Sequence, residues 1–148
     1  VKIQKDYKRN TNKEKKKGLD LAANPYAELL FYWPELERQI RVSGYVEKID
    51  EQESTAYYHK RPRDNQIAAH ISTPQSGVIA SREELQERFQ DLHAQVGDQS
   101  ELQKPIFWGG YRLQPDYYEF WQGRPNRLHD RLAYEKIEGE WKLQRLMP

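Results

Sequence analysis

The sequence predicts a mainly β fold, an antiparallel sheet or barrel with a few helices on its outside. Three observations predict it. First, the C-terminal third holds four runs rich in aromatic and branched residues, at 107–113, 117–122, 128–137 and 141–146. The links between them are short (Gln114-Pro115-Asp116, Gly123-Arg124-Pro125-Asn126, Glu138-Gly139-Glu140), and short links between consecutive strands dictate antiparallel pairing. Second, Ile40, Val42, Gly44 and Val46 alternate with Arg41, Ser43 and Glu47, the pattern of a half-buried strand. Third, the helical signals are few and mostly short, each opened by its own start signal.

In chain order, residues 1–17 come first, basic and irregular. Eight Lys and Arg stand there against two acids, a net +6, so the rest of the chain carries −5 of the total +1. Such a terminus binds phosphate, nucleic acid or acidic lipid, or is a solvated tail. Asn24-Pro25 marks a turn. Leu29-Leu30-Phe31-Tyr32-Trp33 reads as a buried strand that Pro34 ends. Asp50 with Glu53 forms a capping box for a helix to about Lys60. Pro62 suits the first turn of a second helix, 63–71. Ser81 with Glu84 opens the clearest helix, 82–96, on which Leu85, Phe89, Leu92 and Val96 make one stripe.

The 148 residues suit one domain. The apolar fraction is 36% and the mean hydropathy −1.09, low for a self-sufficient core. Four Trp, ten Tyr and four Phe offset part of that deficit. A polar chain with so many large rings often keeps some for a partner subunit or a flat ligand.

Several chemistries are excluded or unsupported. With no Cys, disulfides, thiolate catalysis and Cys-based zinc sites are ruled out, and the composition fits a reducing compartment, here expected to be the cytoplasm. No apolar run approaches the roughly 20 residues of a membrane span, and no signal peptide is visible. The G-x-S-x-G, G-x-x-x-x-G-K-[ST] and G-x-G-x-x-G motifs are missing. His59, His70, His93 and His129 lack metal-ligand spacing, so no metal is expected. Nucleic-acid binding has only the N-terminal charge behind it and is not expected.

Two clusters carry candidate chemistry. Residues 57–66 set Lys60, Arg61 and Arg63 around a helix start, where free N–H groups and Arg forks suit an anion; a solvated helix is the plain alternative. Residues 121–131 bring Arg127, His129 and Arg131 at period 2, which on a strand points them to one face. Three such groups repel each other unless something negative sits among them; an exposed edge strand is the alternative. Trp121 either stacks on a flat ring or fills the core. Side chains alone do not perform hydride chemistry, which needs a cofactor.

These segments resemble a known family. Arg61-Pro62-Arg63-Asp64-Asn65-Gln66-Ile67 is similar to the R-P-R-x-S-Q-I segment of pyridoxine/pyridoxamine 5'-phosphate oxidases. Phe107-Trp108-Gly109-Gly110-Tyr111-Arg112 looks like their W-G-G-[FY]-R. Glu119-Phe120-Trp121-Gln122-Gly123 followed by Arg127-Leu128-His129-Asp130-Arg131 resembles their E-F-W-Q-G…R-L-H-D-R, and 141–148 their W-x-x-x-R-L-x-P. The resemblance runs from about residue 11 to the end.

It implies an FMN-binding split β-barrel, antiparallel and Greek-key-like, with FMN held across a homodimer interface and residues 104–148 serving dimerisation and substrate. It implies oxidation of pyridoxamine or pyridoxine 5'-phosphate to pyridoxal 5'-phosphate in vitamin B6 salvage, by hydride transfer to the flavin, with oxygen as acceptor and hydrogen peroxide as by-product. The family's cofactor contacts fall on Thr11, Lys16, Lys17, Gln39, Gln75, Ser76, Trp121 and Arg131. Its substrate contacts fall on Tyr57, Arg61, Asn65, Arg127 and His129, the last two being the catalytic candidates. The sequence departs from the pattern at Lys15 (family Ser), Lys16 (family Arg) and Asn65 (family Ser), and the family's earlier R-x-x-x-L-K strand has no counterpart. A non-catalytic relative that binds flavin, pyridoxal phosphate or a protein partner is therefore the competing expectation.

Overall fold

A computed structural model of the chain describes the backbone of residues 7–12, and residues 16–74, 76–97 and 101–148 in full. The elements run β1 (Tyr7–Asn12), α1 (Lys16–Ala23), β2 (Tyr26–Trp33), β3 (Arg38–Lys48), α2 (Glu51–Lys60), α3 (Arg63–Ile71), α4 (Arg82–Val96), β4 (Trp108–Gln122), β5 (Asp130–Ile137) and β6 (Glu140–Leu146). The sheet order is β2-β3-β4-β5-β6, with β1 pairing β4 off that path. The pairings β2–β3, β4–β5 and β5–β6 are antiparallel. A mainly antiparallel sheet with few helices is therefore what forms. Among the described residues no helix is long and apolar enough to cross a membrane.

The chain divides into two compact units. One contains Leu21–Glu47 and Arg112–Pro148. In it β2 and β3 form a hairpin, closed by Pro34–Leu36 and by Glu37 in the left-handed region (φ 46°). Alternation on β3 works as expected: Val42, Gly44 and Val46 are buried. β5 and β6 meet through Glu138 and Gly139, both at positive φ (51° and 87°), the backbone a two-residue hairpin turn of matching twist needs. Its core is Val42, Val46, Leu113, Tyr118 and Ala133.

Three expectations change here. The run at 29–33 is a strand, but Leu30 and Tyr32 are 59% and 56% exposed. β2 is the end strand of the sheet path, and hydrophobic content alone does not tell a covered strand from one whose cover is another chain. The two predicted strands at 107–113 and 117–122 are one, β4, which runs through Pro115. A Cβ on Gly44 would lie 2.1 Å from the Gln114 carbonyl oxygen, so β3 gives up its side chain where β4 carries its proline. The strand expected from residue 128 begins at Asp130.

The second unit contains residues 16–20 and Lys48–Tyr111. Its helix starts are those the sequence marks. The Asp50 carboxylate accepts from the Glu53 N–H at 2.7 Å, and the Ser81 hydroxyl from the Glu84 N–H at 3.1 Å. Pro62 caps α3. Tyr58 and Ile67 are fully buried, with Trp108 and Tyr111 nearly so. The α4 stripe stays only partly covered, since no residue of that helix is buried. The segment read as irregular holds β1, and α1 begins at Lys16 with its Gly18 buried.

Candidate functional site

In the first unit the end of β4, the following turn and the start of β5 build one edge of a cavity of about 390 Å³. Gln39 and Ile40 of β3 and Trp121 and Gln122 of β4 line it with Arg38 and Arg124. Arg38 Nε donates to Gln122 Oε1 at 2.6 Å, and Gln122 Nε2 donates to the Leu36 carbonyl at 3.1 Å. These bonds pin the β2–β3 turn to the end of β4. Gly123 is buried in the same corner. A Cβ there would come 2.7 Å from Glu37 Cβ and 3.1 Å from Trp121 Cη2. The Gly123 N–H donates to the Glu37 carbonyl at 2.7 Å.

Arg127, His129 and Arg131 do not share a strand face. Arg127 closes a 3-10 turn with φ 61°, exposed, next to Asn126 at φ 57°. Pro125 fixes its own φ and starts that turn, so the strand geometry that period 2 presumes is not available before Asp130. His129 lies just ahead of β5. Its ring sits 4.8 Å from that of Trp121, tilted by 44°, and its Nδ1 accepts the Arg124 N–H at 3.1 Å. The turn ahead of β5 folds the imidazole onto the indole.

Arg131 is paired directly with Trp121 across β4 and β5. Its Nε donates to Glu119 Oε1 at 2.8 Å, and its Nη1 to the Met147 carbonyl at 2.9 Å. Glu119 is only 3% exposed, with Arg41 3.6 Å away and the Tyr117 hydroxyl at 3.4 Å. The hydrogen bond from Arg131 holds the Glu119 carboxyl below its usual range, against the effect of burial. The same bond raises Arg131, and burial, with Glu119 beside it, pushes Tyr117 up. A buried carboxylate thus keeps Arg131 charged and aimed.

The second unit holds the other group. Tyr57 of α2 stacks on Trp108, centroids 6.2 Å apart and planes 9° apart. The guanidinium carbon of Arg61 lies 5.3 Å from the Trp108 ring centre. Arg61 Nη1 is buried without a hydrogen-bond partner among the described residues. Such a donor costs free energy until an acceptor arrives. The turn between α2 and α3 is knit by Gln66, whose Nε2 donates to the Arg61 carbonyl at 2.9 Å, and by the Tyr58 hydroxyl, which donates to the Gln66 carbonyl at 3.0 Å. Asn65 is exposed in the first turn of α3.

Lys16 and Lys17 are exposed at the start of α1. Ser76, at φ 61°, is exposed beside a hollow of about 180 Å³ that Pro74 and Arg88 also line. Gln75 lies outside the described residues, as does the side chain of Thr11, whose backbone is in β1. Sequence reasoning did not single out Trp108, the ring beneath Tyr57 and Arg61, or Arg38, Arg124 and Glu119. The signal for Trp108 was its place before two glycines, both buried.

Comparison with known proteins bears on both groups. Residues 5–96 match the family model described as pyridoxamine 5'-phosphate oxidase, and residues 108–148 one described as the pyridoxine 5'-phosphate oxidase C-terminal dimerisation region. A pyridoxine/pyridoxamine 5'-phosphate oxidase of Acinetobacter baumannii is 77% identical over 138 residues, 93% of this chain and 63% of that protein. One from Deinococcus deserti is 51% identical over 93% of this chain and 64% of its own length. The chain therefore spans somewhat under two thirds of these curated relatives. Among solved structures, PhzG from Burkholderia lata, in complex with tetrahydrophenazine-1-carboxylic acid, superposes with a TM-score of 0.83 at 32% identity, covering 95% of this chain and 68% of that one. A pyridoxamine 5'-phosphate oxidase-related, FMN-binding protein from Nostoc punctiforme superposes at 0.71 with 14% identity, covering 97% and 72%. The second likeness speaks for the fold, that of the split-barrel proteins.

Proposed function

The chain belongs to the pyridoxamine 5'-phosphate oxidase family, and on that footing we propose that it serves the FMN-dependent oxidation of pyridoxamine or pyridoxine 5'-phosphate to pyridoxal 5'-phosphate, with oxygen as acceptor and hydrogen peroxide as by-product. The observation that carries this reading is that Gln39 and Trp121, far apart in sequence and both matching flavin contacts of the family, line one cavity. Its volume of about 390 Å³ falls within the roughly 300–1,000 Å³ of small-molecule sites. The donor set also fits a phosphorylated flavin: an indole for the ring, amides for its polar edge, and cations for the phosphate. In this reading Thr11, Lys16 and Lys17 serve the flavin phosphate, and Gln39, Gln75, Ser76, Trp121 and Arg131 are the remaining flavin contacts. FMN, when bound, supplies the hydride acceptor and the route of electrons to oxygen.

The chain's own residues do the positioning. Arg61, with its unsatisfied Nη1 and its Trp108 backing, takes the substrate phosphate with Tyr57 and Asn65. A guanidinium presents a bidentate fork to a phosphate, which supports a phosphorylated substrate. Arg127 and His129 orient the pyridine ring, and His129 handles a proton. Holding two rings in a reactive geometry contributes roughly 7–11 kcal/mol. Residues 108–148 support a homodimer, with FMN at its interface.

The test is direct. The purified chain, incubated with FMN and desalted, is expected to keep flavin absorption and to release hydrogen peroxide with pyridoxamine 5'-phosphate. Arg127→Ala should lower turnover on the order of 100-fold while flavin content holds. A chain that takes up flavin but turns over no phosphorylated vitamer is a binding protein instead, and one that stays colourless sinks the reading.

A further inference from the structure

A charge cluster at the turn after β4 borders the same cavity, which Arg124 and Asp130 both line, and no role has been given to it above. Asp130, the first residue of β5, bonds two arginines at once. Its Oδ2 accepts from Arg124 Nε at 3.0 Å, and its Oδ1 from Arg145 Nη1 at 2.7 Å. Arg145 lies on β6, paired with Leu132 of β5, so it reaches Asp130 along the diagonal of the strand pair. Arg124 lies at the other end of the turn, next to buried Gly123. Asp130 therefore ties the entry of the turn to its exit and to the neighbouring strand. Both arginine bonds hold its carboxyl below the usual range, that from Arg124 first.

What the tie fixes is a backbone N–H. Arg124 N donates to His129 Nδ1 at 3.1 Å. An N–H is a donor only, so Nδ1 must be an acceptor and carries no proton. The neutral imidazole then carries its hydrogen on Nε2, and the ring is held 4.8 Å from Trp121. A histidine whose tautomer is set by the bond at one nitrogen offers a defined group at the other.

We propose that Asp130 is a positioning residue: by bonding Arg124 and Arg145 together it holds the 123–129 turn in the form in which the Arg124 N–H fixes His129 as the Nε2–H tautomer, presenting an N–H donor to the substrate. The role assigned to that donor rests on the oxidase reading; the tautomer and the Asp130 tie do not.

The experiment separates the two. In the ¹⁵N-labelled full chain, a through-hydrogen-bond coupling between the Arg124 amide nitrogen and His129 Nδ1 is expected, together with an Nε2 resonance of protonated type. His129→Asn assigns the signals. Asp130→Asn keeps the shape and removes the charge; Arg145→Gln removes one arm and spares Asp130, in case the first variant folds poorly. Both should abolish or strongly weaken the coupling. In the FMN-loaded protein both should lower kcat per bound flavin by 10- to 100-fold, a range typical of small misplacements, with KM changed less. A coupling absent from the parent chain, or undiminished in both variants, overturns the proposal, and so does an unchanged kcat once the coupling is lost. A coupling that behaves as stated in a chain without turnover supports the tautomer assignment and removes only the oxidase reading.

Discussion

Gly123 shows how closely single residues determine the candidate site. Its missing side chain lets Glu37 and Trp121 close on the same point. Gly123→Ala should displace the Trp121 ring, weakening flavin uptake by about tenfold or more, since a forced fit in a packed site costs about 1–3 kcal/mol; fluorescence titration with FMN reads this, and an unaltered affinity would mean Trp121 is not held from this side. Glu119 works at the same scale. Its carboxyl is held below the ordinary value of 4.5 in the folded chain, so its contribution is complete above that value and is lost as pH falls through the lower folded one. Acid unfolding followed by circular dichroism should show a flatter pH dependence in Glu119→Gln. Arg131→Leu leaves that carboxylate buried with only Arg41 opposite, and should cost roughly 2 kcal/mol, less than the 3–5 of a fully buried pair because Arg41 remains. Denaturant unfolding measures it; a variant as stable as the parent would refute the ion-pair account.

Elements were legible wherever the signal was local. The Asp50 and Ser81 caps are bonds between neighbours in sequence, so α2 and α4 begin where the residues say. Ser81→Ala should cost about 1 kcal/mol; with no residue of α4 buried, the loss should appear as fraying of that helix in hydrogen exchange rather than as global unfolding. β4 could not be read this way. Pro115 looks like a strand end, and what admits it is Gly44, on a different strand. Gly44→Ala would drive a methyl group against the Gln114 carbonyl and is expected to prevent native pairing of β3 with β4, the most damaging single change proposed here. A Gly44→Ala protein with parental thermal stability would show that the two backbones can part cheaply.

The whole molecule is the scale at which the apolar residues make sense. Leu30, Phe31, Tyr32 and Trp33 are exposed on β2, and Leu143 and Met147 near the C-terminus. A polar chain that leaves such rings in water has apolar surface for a partner. Light scattering is expected to give twice the 17.7 kDa of one chain. A monomer at micromolar concentration would contradict the proposed homodimer and leave those rings unexplained.

By itself the sequence determined the strand-rich class, the positions of three helices, and the family, because alternation, caps and ordered motifs depend on neighbours along the chain. It also singled out the segments 57–66 and 121–131 as candidates for chemistry. The tertiary structure alone decided that Arg127 and His129 stand on a turn instead of a strand, that β2 is uncovered, that Trp108 lies under Arg61, and that Glu119 and Asp130 each hold two arginines. Those facts depend on which distant backbones approach each other, and a close approach is settled by the packing of the whole, where a hydrogen at position 44 or 123 counts for as much as any charged group.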